Sequence, residues 1–456
     1  MDPLTALQRA QDLGASYADV RIETTDEQKI QLMDGSLDKF VAGTESGFGL
    51  RVLVDGAWGF ASSNDLEMDS WAKGIETAVA LARRAKRDPV HMADAPTVDA
   101  REIWAPKIDP RDVSVEEKRE LLLDMEASVR QLEEIRSVTT AYSEVTLRKE
   151  YFDTDGSRVE WGLTRSVAQC HFTARKDGDL AGRGSRVGGT QGWEMFREED
   201  PIEKSLEAAK ACVAQLGAPV PKGGRMTVII DPDLAGVFAH EAVGHASEAD
   251  LVAMGESCFK GKLGETVGME ALNIHDDSQI KGAFGSIPYD DNGVRGQDKN
   301  IIQNGVLTGY LSDRERAAEF GIEANGACRA QDFENKPLVR MSNTMIKAGE
   351  HDESELFEGV KDGIYCRGTR GGQVDTARGT FLFNAQDAFR VQNGEITTPL
   401  KDVSLTGGIL TTLHKIDALG NRAILGDPGF CGKGQWVPVS DGGPLVRIQD
   451  CLVGGQ

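Results

Sequence analysis

Residues 226–245 read MTVIIDPDLAGVFAHEAVGH. Met226–Ile230 is a short apolar run, the pattern of a buried strand. Asp231-Pro232-Asp233 then starts a helix, with a proline suited to a first turn. That helix carries His240-Glu241-Ala242-Val243-Gly244-His245. This is H-E-x-x-x-H, one residue longer than the H-E-x-x-H zinc pattern. At about 100° per residue, histidines at i and i+4 lie about 40° apart around a helix, whereas i and i+5 lie about 140° apart. The second arrangement is too splayed to grip one ion. The spacing therefore predicts that the helix ends or unwinds near Gly244, or takes a π-type turn there. Gly244 would ease such a distortion, because glycine tolerates unusual backbone angles.

Working outward, Pro219-Val220-Pro221-Lys222-Gly223-Gly224 reads as a domain boundary. It divides the chain into an N-terminal region, 1–220, and a C-terminal domain, 221–456. The N-terminal region splits further, at about 1–95 and 106–220, around a looser stretch with Pro89, Pro96, Pro106 and Pro110 that reads as an extended linker. A short helix is expected over Leu4–Leu13, then strands at Ala18–Glu23, Gln28–Met33 and Gly47–Val54. Asp55-Gly56 marks a hairpin. Met68, Trp71, Ile75, Val79 and Ala82 recur at helical spacing. Ser114 with Glu117 announces a second helix. Strands about an Asp155-Gly156 turn fill 137–175, and a third helix carries Ile202, Leu206, Ala209, Val213 and Leu216. Beyond about 280 the pattern is strands and turns, with hairpin signals at Asn304-Gly305 and Asn393-Gly394. The expected class is α+β: an α+β N-terminal region and a strand-rich C-terminal α+β domain with antiparallel or mixed sheets.

The chain has 456 residues, 51 basic and 73 acidic, for a net charge of −22. That balance argues against nucleic acid as a partner, which needs a positive footprint. The basic run Arg83-Arg84-Ala85-Lys86-Arg87 reads as the solvated end of a helix. No apolar run approaches the roughly 18 residues of a membrane span, so no membrane partner is expected. Met1–Gly14 lacks a long apolar core of a signal peptide. Seven cysteines, an odd number, do not make a disulfide scaffold. The expected compartment is the reducing cytoplasm.

Two histidines do not complete a catalytic zinc site, which usually has three protein ligands and an open position. Candidates for the third are Glu248, Asp250, the pair Asp276-Asp277, or a cysteine. Among the cysteines Cys431 stands out, because Gly429 and Gly432 leave its sulfur open to approach and Lys433 would favour the thiolate. Cys170 and Cys212 sit in apolar periodic segments and read as core thiols. Cys258, Cys328, Cys366 and Cys451 have no histidine nearby. His91, His171, His275, His351 and His414 receive no role. Asp290-Asp291-Asn292-Gly293 reads as a turn, since no glutamate follows at calcium-loop spacing.

The separated motifs, taken together and in order, resemble the TldD/PmbA family, and within it the TldD-type metallopeptidase subunit. They are Gly14–Arg21, Gly49–Phe60, His240–His245 continuing to Glu248 and Asp250, Gly371–Asp375 and Phe430–Gln435. The resemblance implies a zinc peptidase with His240, His245 and Cys431 as ligands and Glu241 as the catalytic acid/base. It implies unstructured or short peptide substrates, cut with little sequence preference in a narrow passage between subunits. It also implies a homodimer, or a heterodimer with a paralogue lacking the motif. Two other readings use the same residues: a zinc hydrolase of a non-peptide amide or ester, and an assembly protein whose zinc is structural. A fourth protein ligand, such as Glu248, would favour the last.

Overall fold

The computed structural model describes residues 2–85 and 88–455. It is an α+β chain. The N-terminal half is built on one seven-stranded sheet. Its strands run in the order Ala57–Ser63, Ser36–Val54, Tyr17–Met33, Ile135–Asp153, Arg158–Lys176 and Asp99–Trp104, and Asp179–Gly189 also pairs with Arg158–Lys176. The two short strands expected at 18–23 and 28–33 are one. Thr24–Glu27 between them stays paired on both sides, to Gly43–Ser46 and to Val145–Arg148. The proline-rich stretch is not merely a linker, because Asp99–Trp104 forms a parallel edge strand on Arg158–Lys176.

The Asp55-Gly56, Asn304-Gly305 and Asn393-Gly394 turns each hold both residues at positive φ. That is the conformation whose twist matches a two-residue hairpin. Helices Pro3–Asp12 and Met68–Arg84 pack around Trp71, which stacks on Phe48 at 3.9 Å. The second of them ends at Arg84, so Lys86 and Arg87 of the basic run lie outside the described residues. Helix Val115–Val129 begins at Ser114, whose hydroxyl accepts from the Glu117 N–H. With Pro201–Ala214 it covers a core that includes Cys170 and Cys212.

The C-terminal half holds two further seven-stranded sheets. One centres on Ile274–Asp277, Asn343–Ile346 and Trp436–Gly443. The other centres on Gly224–Ile230, Asp362–Asp375, Thr380–Gln392 and Val446–Gly455. Residues 226–245 join the two, since their strand belongs to the second sheet and their helix packs against both. Gly224–Ile230 is a strand, Asp231 caps helix Pro232–Phe238, and Leu234, Ala235 and Phe238 enter the core shared by the two sheets. Gly236 permits the close approach to Trp436–Gly443, since a Cβ there would stand 2.4 Å from Asp441 Oδ1 and from the Gly442 nitrogen.

Candidate metal centre

Past Phe238 the helix widens into a π-turn, Ala239–Gly244, followed by a 3-10 turn, His245–Ser247. One extra residue per turn cancels the 140° splay of an ordinary helix. The two imidazole centroids then stand 5.2 Å apart with rings at 90°. Gly244 itself has ordinary helical angles, φ −57° and ψ −59°. Its lack of a side chain matters for space, because a Cβ would lie 2.0 Å from Met341 Sδ.

Cys431 arrives from 186 positions away on the short strand Gly429–Gly432, paired with Trp436–Gly443. Its Sγ lies 3.3 Å from His245 Nε2. His240, His245 and Cys431 offer three donor atoms all within 4.8 Å of one another. The glycines do not expose the sulfur as expected, since Cys431 is buried. Burial pushes its thiol up, but hydrogen bonds and charge from His240 and His245 prevail and bring it down to about 5. Lys433 has other work: its Nζ is 2.7 Å from both Asp250 carboxylate oxygens and 3.2 Å from Glu248.

Behind the donors stands a supporting layer. Glu248 Oε2 is 2.9 Å from His245 Nδ1. Such a carboxylate fixes the tautomer and ring orientation of a ligating histidine. The fully buried Arg340 donates to the carbonyls of Cys431 and Gln435, at 2.6 and 2.9 Å, holding the loop that carries the sulfur. The other third-ligand candidates are engaged elsewhere. Glu248 sits behind His245, Asp250 is bound by Lys433, Asp276 holds Ser342, Thr344 and Lys299, and Asp277 accepts from the Gln279 N–H.

The donor set fits a metal ion. Nδ1 of His240 is buried with no hydrogen-bond partner. Burial lowers both imidazoles, but the Cys431 sulfur raises each of them, with Glu241 adding to the rise at His240 and Glu248 to that at His245. One sulfur and two imidazole nitrogens suit zinc among common divalent ions. Glu241 lies beside the trio, its Oε2 4.0 Å from His245 Nε2, and it faces a cavity of about 830 Å³.

Several residues of this cavity carried no signal in the sequence. Arg183 and Arg186 come from Asp179–Gly189, where glycines interrupt any alternating pattern. Arg370 forms another wall with Gly371 and Gly372, which did belong to the Gly371–Asp375 motif, and Asp233, Asp427 and Asp441 form a third. His171 also faces it. Asp290-Asp291-Asn292-Gly293 is the expected turn, with Asp290 Oδ1 accepting from the Asn292 and Val294 N–H groups.

Three family models match the chain: PmbA/TldA metallopeptidase domain 1 over residues 18–82, the central domain over 108–216, and the C-terminal domain over 223–455. The chain belongs to the PmbA/TldD metallopeptidase family. A metalloprotease of Methanocaldococcus jannaschii is 42% identical over 436 residues, 94% of this chain and 95% of that protein. A zinc metalloprotease TldD homolog of Saccharolobus solfataricus is 32% identical over 461 residues, 98% of this chain and 99% of that one. By its family and these relatives the PmbA/TldD chain is a metalloprotease. Two solved structures share its fold. A protein of Thermotoga maritima described as a putative modulator of a DNA gyrase has TM-score 0.81 at 22% identity, covering 99% of this chain and 98% of that one. TldE of Thermococcus kodakarensis has TM-score 0.80 at 15% identity, covering 99% of each chain. No helix among the described residues is long and apolar enough to cross a membrane.

Proposed function

We propose that the chain is a zinc-dependent peptidase that hydrolyses unfolded or short peptides with low sequence preference. His240, His245 and Cys431 are its zinc ligands and Glu241 is its acid/base. The carrying observation is the convergence of three donor atoms within 4.8 Å, with the Glu241 carboxylate beside them at the cavity wall. When bound, zinc acidifies water and polarises a carbonyl. Glu241 takes the proton of the attacking water on a carboxylate oxygen and returns it to the leaving amine nitrogen. Glu248 keeps His245 oriented and Arg340 keeps the Cys431 loop in place. The position of Glu248 behind His245 supports an open catalytic site over a closed structural one.

Low sequence preference requires reading of the peptide backbone, which pairing with a strand edge provides. Beyond Cys366 no strand pairs with Asp362–Asp375 on its Gly224–Ile230 side among the described residues, where the Gly368 N–H is taken by Asp231 Oδ1, and Gly368–Gly372 lines the Glu241 cavity. We assign this edge to the substrate. The proposed working unit is two chains, either two copies or one copy with a motif-lacking paralogue.

Glu241→Gln tests the assignment. It should retain zinc and lose peptide cleavage by about 10²-fold or more. Retained cleavage would remove Glu241 from the mechanism. A peptide library run against small amides on the parent protein separates peptidase from other amide hydrolysis.

A further inference from the structure

A second cavity, of about 520 Å³, lies between the N-terminal sheet and the C-terminal half. It meets the catalytic cavity at Phe430, which lines both and is 58% exposed. Trp436, also lining it, follows Cys431 by five positions on the paired strand. This second space is therefore continuous with the loop that presents the thiolate.

Two arginines face it from opposite halves. Arg165 comes from strand Arg158–Lys176 and is 6% exposed, and Arg329 comes from strand Cys328–Arg329 and is 4% exposed. Their protein partners are backbone carbonyls. Arg165 donates Nε to Phe284 at 2.7 Å and Nη2 to Ser286 at 2.9 Å, and Arg329 donates Nη1 to Met341 at 2.5 Å. Neither guanidinium has a carboxylate within 4.0 Å among the described residues, although Arg21 and Lys149 nearby are paired with Glu23 and Asp291. Buried cations are ordinarily paired, because burial of an uncompensated charge costs free energy. Burial lowers both groups, Arg165 to about 9 and Arg329 to about 10; Arg329 lowers Arg165 further, and Arg340 lowers Arg329 further against partial support from Asp276, Asp291 and Cys431. Five acids also line the space: Glu23 and Asp291 are buried and engaged by Arg21 and Lys149, Asp332 is half-buried, and Glu27 and Glu45 are exposed, where solvent and salt screen them.

We propose that this cavity is a subsite for a carboxylate of the bound peptide, received by Arg165 and Arg329. The inference rests on the peptidase reading above. Guanidinium groups match carboxylates in planar, bidentate geometry. A peptide carries that group either on an acidic side chain or at its C-terminus. The second is present on every peptide whatever its sequence, so the subsite is compatible with low side-chain preference.

The test is calorimetric titration of the Glu241→Gln protein with uncleaved peptides. One set is blocked at both ends and carries Glu or Gln at each position in turn. The other compares a neutral peptide as free acid and as amide. The expected result is that a carboxylate form binds about tenfold or more tightly than its neutral twin. Tightening by internal Glu assigns the side chain, and tightening by the free acid assigns the chain end. In the same background Arg165→Met or Arg329→Met should bring the ratio to within about twofold. Equal binding of all pairs, or no binding, overturns the subsite, and this comparison holds even if an arginine variant fails to fold. Failure of the peptidase reading would show separately, as no hydrolysis by the zinc-loaded parent protein with the binding ratio intact.

Discussion

His245 is held at both ring nitrogens. Nε2 faces the Cys431 sulfur at 3.3 Å and Nδ1 faces Glu248 at 2.9 Å. Glu248 is fully buried and also lies 3.2 Å from Lys433, so its charge is balanced on two sides. Glu248→Gln keeps the shape and removes the charge. It should weaken zinc binding by about 10–100-fold, measured by competition with a chelator, while leaving all three donors in place. Unchanged affinity would separate Glu248 from the metal. The pair His240 and His245 was legible because the H-E-x-x-x-H spacing is local. Cys431 was singled out for reasons the structure alters, since its sulfur is buried and the histidines, rather than Lys433, favour its thiolate. The roles of Glu248 and Arg340 were not legible, because each depends on a partner fixed only by the folded chain.

At the scale of elements, the π-turn Ala239–Gly244 converts an unsuitable helical spacing into two converging imidazoles. Gly244 packs against the fully buried Met341. Gly244→Ala should therefore destabilise the protein by about 1–3 kcal/mol through overpacking, read as a lower midpoint in urea. A stability equal to the parent would show that Met341 yields freely. The need for a turn of this kind followed from helical geometry alone. The edge strand Asp99–Trp104 did not, because six residues between prolines carry little periodic signal and its pairing is to distant Arg158–Lys176. The exposed arm within Ser36–Val54 was equally silent, as no buried face imposes alternation on residues 36–45.

At the scale of the molecule, the site is assembled by long-range closure. The opening helix of the C-terminal half meets a loop near the chain end, and the N-terminal sheet supplies one wall of each cavity. Hairpins and helix caps were readable from local chemistry, whereas the cavities depend on how two halves meet. The α+β class was readable because helices and strands kept distinct periodicities.

Buried acids give the whole fold a pH signature. Burial, with Asp233 beside it, raises Asp231 from 3.8 to about 7, and burial raises Asp290 likewise. Between about pH 4 and pH 7 the folded form holds protons that the unfolded chain has released. Stability from these groups therefore falls as pH rises across that window and levels off above it. Asp231 Oδ1 accepts the Leu234 and Gly368 N–H groups, and an asparagine oxygen can do the same. Asp231→Asn should flatten the fall in melting temperature between pH 4 and 7 without loss of stability at pH 8. An unchanged slope would contradict this origin.

The central claim is that one zinc ion joins His240, His245 and Cys431. An anomalous-difference map collected across the zinc absorption edge of zinc-loaded crystals addresses it directly. The account predicts a single strong peak within bonding distance of both imidazoles and the Cys431 sulfur, with Glu241 beside it and unbound. A peak elsewhere, or one ligated without Cys431, would contradict it.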